Sequence, residues 1–132
     1  MTPTERIRVV CAVIKQGDMV FAARRPDDRT NGGLWEFPGG KVHDGETLEA
    51  ALHREIREEL AVGIGIHEAL TPVQWDYPWI AIELFPFVCS MEPEAQPRLL
   101  DHAAVRFVSR DEIACLPWAP ADQVIVERYF RD

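Results

Sequence analysis

The chain has 132 residues, of which 47% are hydrophobic and 27% charged, and its formal net charge is −8. These values are typical of a single globular domain spanning residues 1–132, and the negative charge argues against a broad surface for a nucleic-acid polymer. No apolar run is long enough to cross a membrane, and residues 1–6 lack the apolar core of a secretory signal, so we expect a cytoplasmic protein without a membrane partner. The three cysteines have no metal-binding spacing and are expected to be reduced thiols: Cys11, Cys89 and Cys115.

The first half of the chain predicts a hairpin, a short strand and a long helix. Residues Ile7 to Lys15 are rich in β-branched side chains, and a Gln-Gly-Asp turn separates them from a second apolar run at Met19 to Ala23. Leu34 to Phe37 is a short aromatic stretch between glycines and a proline, which favours a strand. Thr47 is a suitable N-cap for a helix that continues to about Leu60, and glycines 63 and 65 are expected to end it.

The second half predicts two further strands and two helices. Residues Trp79 to Val88 form an apolar strand, in which Pro86 indicates a sheet edge or a bulge. A shorter strand is predicted from Ala104 to Val108. The Ser-Arg-Asp-Glu sequence at 109–112 has the form of a capping box, and a final amphipathic segment runs from Gln123 to Arg131. Strands and helices mixed in this order predict a layered domain containing both.

The helix after the Pro-Gly-Gly turn has an unusual distribution of charge. Glu55, Glu58 and Glu59 are three and four positions apart, so their like charges repel on one side of the helix. They also border the apolar stripe instead of opposing it, as the acids of a solvated helix would. A hard divalent cation such as Mg2+ would neutralise them. A solvated acidic surface is the alternative on the helix alone.

The turn and helix together resemble the box of the Nudix hydrolases, G-x5-E-x7-R-E-U-x-E-E-x-G-U, where U is aliphatic. The matching positions are Gly40, Glu46, Arg54, Glu55, Ile56, Glu58, Glu59 and Val62. Ala61 stands where the family has its last glycine, and a left-handed turn there would cost an alanine about 1 kcal/mol. Residues 34–41 and 119–122 are also similar to the MutT-like branch of the family. The resemblance implies an α+β Nudix fold, with a mixed sheet between helices.

The resemblance also implies roles inside the box. Glu58 and Glu59 look like the principal Mg2+ or Mn2+ ligands, completed by the carbonyl of Gly40. Glu55 is either a further ligand or the group that polarises the attacking water. Arg54 orients a carboxylate, with a surface salt bridge as the alternative, and Glu46 braces the turn by accepting hydrogen bonds.

Outside the box, four residues are candidates for substrate binding. Arg25 could contact a phosphate, and Phe37 could stack on a base, although a surface arginine and a core phenylalanine are the alternatives. Asp101 resembles a residue that reaches the metal or acts as base, with a loop aspartate as the alternative. Asp122 matches the position that contacts the base, with a helix cap as the alternative.

The activity that follows from the resemblance is divalent-metal-dependent hydrolysis of a nucleoside triphosphate to a monophosphate and pyrophosphate. We rank 8-oxo-dGTP first and CTP or dCTP second, as expected for an enzyme that cleans the nucleotide pool. The alternatives are hydrolysis of another nucleoside-diphosphate-linked compound and a catalytically silent nucleotide-binding regulator. The expected partner is a small nucleotide, and the chain is expected to be a monomer or a homodimer.

Overall fold

The structure, a computed structural model, describes residues 5–130 and consists of a mixed sheet with helices on both faces. The strands are β1 (Ile7–Gln16), β2 (Met19–Arg24), β3 (Trp35–Glu36), β4 (Gly39–Lys41), β5 (Gly65–Ala69), β6 (Val73–Tyr77), β7 (Ile80–Ser90) and β8 (Ala104–Ser109). The helices are α1 (Leu48–Leu60), α2 (Arg110–Cys115) and α3 (Pro120–Tyr129). None of the helices in residues 5–130 has the length and apolar character needed to span a membrane.

Strand β1 organises the sheet because it pairs with three other strands. It runs parallel to β7 from the Ile7–Ile82 pair to the Ile14–Cys89 pair. Its other edge pairs antiparallel with β4 near Val10 and with β2 at the hairpin turn. Strand β2 in turn pairs with β3 and β8, while β5 and β6 pair with the far edge of β7.

The alternation of side chains along β1 separates two hydrophobic cores. Val10, Ala12 and Ile14 pack on one face of the sheet against the apolar stripe of α1. Cys11 and Val13 point to the other face, where they join a core that includes residues of α2 and α3. The sheet is therefore covered by helices on both faces, which confirms the predicted α+β fold.

Helix α1 begins and ends close to the predicted positions. The Thr47 hydroxyl accepts a hydrogen bond from the Ala50 N–H at 3.1 Å, as an N-cap does. At the other end, Ala61 adopts the left-handed conformation, with φ of 58°. The helix therefore stops at Ala61, before Gly63, so the expectation that glycines 63 and 65 end it was wrong.

The edge alternative for Pro86 was wrong, because β7 lies inside the sheet between β1 and the β5 and β6 strands. An irregularity does occur near the end of β7, where the β5–β7 register shifts between Ile66 and Glu68 opposite Val88 and Cys89. Pro86 pairs with Cys11 of β1, and its carbonyl accepts a hydrogen bond from the Leu70 N–H at 2.9 Å. The proline nitrogen faces the same side as this carbonyl, towards the gap between β5 and β6. The missing N–H therefore falls where the ladder is already interrupted.

The last two helices follow their local signals. Ser109 and Glu112 form the predicted capping box at the start of α2. Helix α3 begins at Pro120 instead of Gln123, because a proline fits the first turn of a helix, where its missing N–H has no partner to lose. The predicted continuation of this segment to Arg131 lies outside the described residues.

Candidate active site

A cavity of about 330 Å³ opens between the sheet, the start of α3 and the loops that follow β2 and β7. Its size is within the range of small-molecule sites. Six of the candidate residues line it: Arg25, Phe37, Gly40, Glu59, Asp101 and Asp122. The structure thus brings together residues from five separate stretches of the chain.

The glycine turn allows the sheet and α1 to approach each other closely. A Cβ atom on Gly39 would overlap the backbone of Val10, and one on Gly40 would overlap the carboxyl group of Glu55. The side chain of Glu55 is 13% exposed and is therefore held directly against the Gly40 backbone. Space excludes a side chain at Gly39, where the obstacle is backbone, whereas a side chain at Gly40 would displace the carboxyl group of Glu55; neither glycine has a positive φ.

Arg54 connects the turn to the acids of α1. Its Nε and Nη2 atoms donate to both carboxylate oxygens of Glu46, at 2.7 and 2.9 Å, and its Nη1 donates to Glu55 at 2.8 Å and to Glu58 at 3.2 Å. Glu46 also accepts the His43 N–H at 2.8 Å. The Arg54 and His43 hydrogen bonds lower the pKa of Glu46 to about 2, so it remains ionised. These contacts are consistent with a bracing role for Glu46 and an orienting role for Arg54, and both roles stay predictions; Arg54 also makes the alternative salt bridge with Glu58.

The three acids of α1 have different environments, which the helical spacing did not separate. Glu58 is 59% exposed, whereas Glu59 is 14% exposed and its Oε2 atom has no hydrogen-bond partner. Burial, followed by the negative charges of Glu36 and Glu55, raises the pKa of Glu59 to about 9. A buried carboxylate with a free oxygen is costly unless a positive charge compensates it.

Two residues beside Glu59, Glu36 and His102, were missed by the sequence analysis. The His102 ring is 4% exposed, and its Nε2 lies 2.8 Å from Glu36 Oε2 and 3.8 Å from Glu59 Oε2. Glu36 also pairs with Arg25 at 3.2 Å. This chain of contacts connects the candidate phosphate ligand Arg25 to the buried acid of α1. A histidine between two carboxylates is the pattern that would have indicated this site. The sequence does not show it, because 66 positions separate His102 from Glu36.

Arg25 and Asp101 each already have a partner at the cavity. The Arg25 Nε donates to the Thr30 carbonyl at 2.6 Å, in addition to its pair with Glu36. Asp101 pairs with Arg29 at 3.1 Å and its side chain is 52% exposed. Both residues line the cavity, and their roles toward a substrate stay predictions.

Asp122 lies at the other end of the cavity and is almost completely buried. Its Oδ2 accepts the backbone N–H of Phe37 at 2.9 Å. Burial and the nearby Glu36 raise its pKa to about 8. Helix α3 has Ala119 as its N-cap residue, so Asp122 is not the N-cap but lies in the first turn, where its carboxyl group also accepts its own backbone N–H. Phe37 is 2% exposed, and its ring stacks on that of Trp118 with the ring centroids 4.7 Å apart. Its observed contacts are therefore those of a core residue that also lines the cavity.

The comparison with known families decides the classification of this fold and site. A model of the NUDIX domain matches residues 4–129. The chain belongs to the Nudix family. Nudix relatives include the CTP pyrophosphohydrolase of Escherichia coli strain K12, 34% identical over 124 residues that cover 93% of this chain and 90% of the relative. The 8-oxo-dGTP diphosphatase of Proteus vulgaris is 39% identical over 79 residues, which cover 59% of this chain and 70% of that protein.

Solved Nudix structures share the fold. The solution structure of the E. coli ORF135 protein has a TM-score of 0.76 and 31% identity, covering 93% of this chain and 87% of that one. The crystal structure of a MutT protein from Methanosarcina mazei Go1 has a TM-score of 0.79 and 23% identity, and the match covers 96% of this chain and 95% of that one. These structures confirm the predicted fold, and the relatives described above confirm the MutT-like Nudix resemblance of the sequence.

Nudix hydrolases generally need a divalent metal ion, and the residues of this site fit one. Glu59 offers a buried oxygen that lacks a partner, and Gly40 leaves its backbone open to the acids of α1. Carboxylate and carbonyl oxygens are the ligands that hard divalent cations prefer. Among residues 5–130, no three acidic, histidine or cysteine side chains already converge on one point, because Arg54 holds Glu55 and Glu58. A bound cation would therefore compete with Arg54 for these carboxylates.

Proposed function

We propose that this Nudix protein is a divalent-metal-dependent nucleoside triphosphate pyrophosphohydrolase that releases a monophosphate and pyrophosphate, with 8-oxo-dGTP as its first substrate. The observation that supports this function is the distribution of acids in one cavity. Glu59, with its unpartnered oxygen, lies at the end formed by α1, and Asp122 lies at the end formed by α3. One end thus suits a phosphate-bound cation and the other suits a base.

Glu58 and Glu59, with Glu55 and the carbonyl of Gly40, are the residues that would hold the ion, and Mg2+ is proposed before Mn2+. The bound ion supplies neutralisation of the phosphate charge. Arg54 keeps the carboxylates of Glu55 and Glu58 oriented until then. Glu55 is proposed either as a ligand or as the group that polarises the attacking water.

The phosphates would lie among cationic side chains of the cavity wall. Arg25, Arg29 and Lys41 all line the cavity. Arg25 and Arg29 are prepositioned by Glu36 and Asp101. A triphosphate carries more negative charge than either carboxylate and can share these guanidinium groups in bidentate contacts. Asp101 would then be released toward the metal end of the cavity.

The base would meet Asp122, whose protonation decides what it can recognise. With a pKa of about 8, the carboxyl is mostly neutral at pH 7 and donates an O–H to a base carbonyl or ring nitrogen. When ionised, it accepts from an exocyclic amine. Both forms are compatible with an oxidised guanine or a cytosine. CTP or dCTP is the second candidate because one relative, which matches this chain over 90% of its own length, is named a CTP pyrophosphohydrolase.

A substrate screen tests this function. Canonical and oxidised nucleoside triphosphates are compared by kcat/KM with Mg2+ present, with nucleotide sugars and ADP-ribose as controls. We expect pyrophosphate release, highest with 8-oxo-dGTP, and a loss of several orders of magnitude in Glu59→Gln. Release of single phosphates, preferred cleavage of a nucleotide sugar, or binding without turnover would each contradict the proposal, and the last result would favour the regulator.

The same proposal includes the setting in which the protein acts. Three free thiols, two of them buried, suit the reducing cytoplasm, where we expect it to act on free nucleotides as a monomer or homodimer.

A further inference from the structure

We propose that Trp79, backed by Tyr77, is the stacking surface for the nucleobase of the substrate and favours a purine over a pyrimidine. This inference rests on the proposed function, since it assumes that the cavity binds a nucleotide. The two residues lie on the hairpin between β6 and β7, outside the Nudix box. Both are uncharged, so the role assigned to them is substrate selection and not hydrolysis.

The hairpin between β6 and β7 places Trp79 at the cavity. Tyr77 pairs with Ile80, so Pro78 and Trp79 form a two-residue turn. Both Tyr77 and Trp79 line the cavity, together with the apolar side chains of the first residues of β7. Trp79 is 54% exposed. A large aromatic ring left in water at the edge of a binding cavity is a candidate for ligand contact.

The two rings are arranged as a stack. Their centroids are 4.9 Å apart and their planes differ by 14°. Tyr77 covers one face of the indole and restricts its rotation, while the exposed fraction of Trp79 remains open to another planar group. Flat, exposed π surfaces bind bases by the same offset stacking that joins these two rings.

Tyr77 also fixes the stack relative to Asp122. Its hydroxyl oxygen accepts the backbone N–H of Ala121 at 3.1 Å, one residue before Asp122. The ring of Trp75, on the same strand, lies beside that of Tyr77, with the two ring centroids 6.3 Å apart. The aromatic surface and the carboxyl group that would contact the edge of the base are thereby held in one rigid arrangement.

The chemistry of the cavity assigns this surface to the base and not to the phosphates. The indole ring carries no positive charge, whereas guanidinium and ammonium groups line the wall formed by Arg25, Arg29 and Lys41. A purine has a larger ring area than a pyrimidine and overlaps more of the indole. The stack therefore favours 8-oxo-guanine over cytosine.

Binding measurements by calorimetry, with Mg2+ present, test the proposal without requiring turnover. The ligands are 8-oxo-dGMP, CMP and inorganic tripolyphosphate, which has no base. In Trp79→Ala, we expect the Kd of 8-oxo-dGMP to rise about 5- to 100-fold, the effect of losing one base–aromatic stack, and that of CMP to rise less. The Kd of tripolyphosphate should stay within about twofold.

Two further variants make the result specific. Trp79→Phe keeps a ring and should recover most of the affinity for 8-oxo-dGMP. Met19→Ala, which shortens another exposed apolar side chain away from the cavity, should leave all three Kd values unchanged. The proposal is overturned if Trp79→Ala leaves 8-oxo-dGMP binding within twofold, if it weakens all three ligands equally, or if the unaltered protein binds tripolyphosphate but neither monophosphate. The substrate screen measures cleavage, so a protein that stacks bases without hydrolysing them would sink the proposed function and leave this inference intact.

Discussion

Glu59 should destabilise the metal-free protein while being essential to its activity. Its carboxyl group is 14% exposed, its Oε2 has no partner, and its pKa is raised from an ordinary 4.5 to about 9. At pH 7 the unfolded chain carries this group as a carboxylate, and the folded chain must protonate it. Replacing Glu59 with glutamine removes that requirement, because the amide is neutral in both states and can still accept the hydrogen bond from Gly39.

The free-energy cost of protonating Glu59 in the folded chain follows from the difference between pH 7 and the ordinary pKa of a glutamate. Each pH unit contributes about 1.4 kcal/mol, so about 2.5 units give an upper value of about 3.5 kcal/mol. Below pH 4.5 the carboxyl is protonated in both states and the penalty is absent. It grows as the pH rises and reaches its full value only above the folded pKa of about 9. Glu59→Gln should therefore stabilise the metal-free fold by about 2 to 3 kcal/mol at pH 7 and by almost nothing near pH 4.

Urea unfolding in EDTA, followed at several pH values, measures this difference directly. Glu58→Gln is the matched control, because that side chain is 59% exposed and should change the free energy of unfolding by at most about 0.5 kcal/mol. Adding Mg2+ should stabilise the unaltered protein and leave Glu59→Gln almost unchanged. A Glu59→Gln variant that is less stable than the unaltered protein in EDTA at pH 8, or a difference that does not depend on pH, would refute the reasoning.

Three other substitutions have defined outcomes. Gly40→Ala should lower kcat by at least an order of magnitude, because the new methyl group displaces the carboxyl of Glu55; a kcat within twofold would contradict this. Ala61→Gly should raise the free energy of unfolding by about 1 kcal/mol with kcat unchanged, since it relieves a left-handed backbone, and denaturant titration checks it. Asp122→Asn should abolish any titration near pH 8 in the pH profile of kcat/KM while the fold is retained, because the amide still accepts the Phe37 N–H; a profile that keeps this titration would assign it elsewhere.

Features encoded within one turn of the chain were predicted from the sequence. Thr47 begins α1, Ser109 and Glu112 begin α2, and Ala61 takes the left-handed conformation that its place in the box implied. The acids of α1 were identified because helical spacing alone places like charges together. What the spacing could not give was their different burial, since this depends on the loops and strands that cover Glu59 and leave Glu58 in water.

The contacts that the sequence did not indicate are formed between distant elements. Glu36 and His102 meet because β2 pairs with β3 and with β8, and neither residue has a neighbour in sequence that marks it. Trp79 is informative only once the hairpin faces the cavity. The edge prediction for Pro86 failed because an interior strand can accept a proline where the neighbouring ladder is interrupted, as it is here between β5 and β6.

The parallel pairing of β1 with β7 has a consequence for the order in which the protein can fold. Strand β1 leaves the ribosome before β7, and the edge of β1 that pairs with β7 stays unpaired until the residues of β7, more than half the length of the chain later, have been made. Closing so long a loop is slow compared with forming the β1 and β2 hairpin or helix α1. During synthesis the exposed edge of an apolar strand is a site for wrong pairing. The nascent chain is therefore most vulnerable to aggregation before Ser90 emerges, and a chaperone that covers β1 during that interval would raise the yield of active protein.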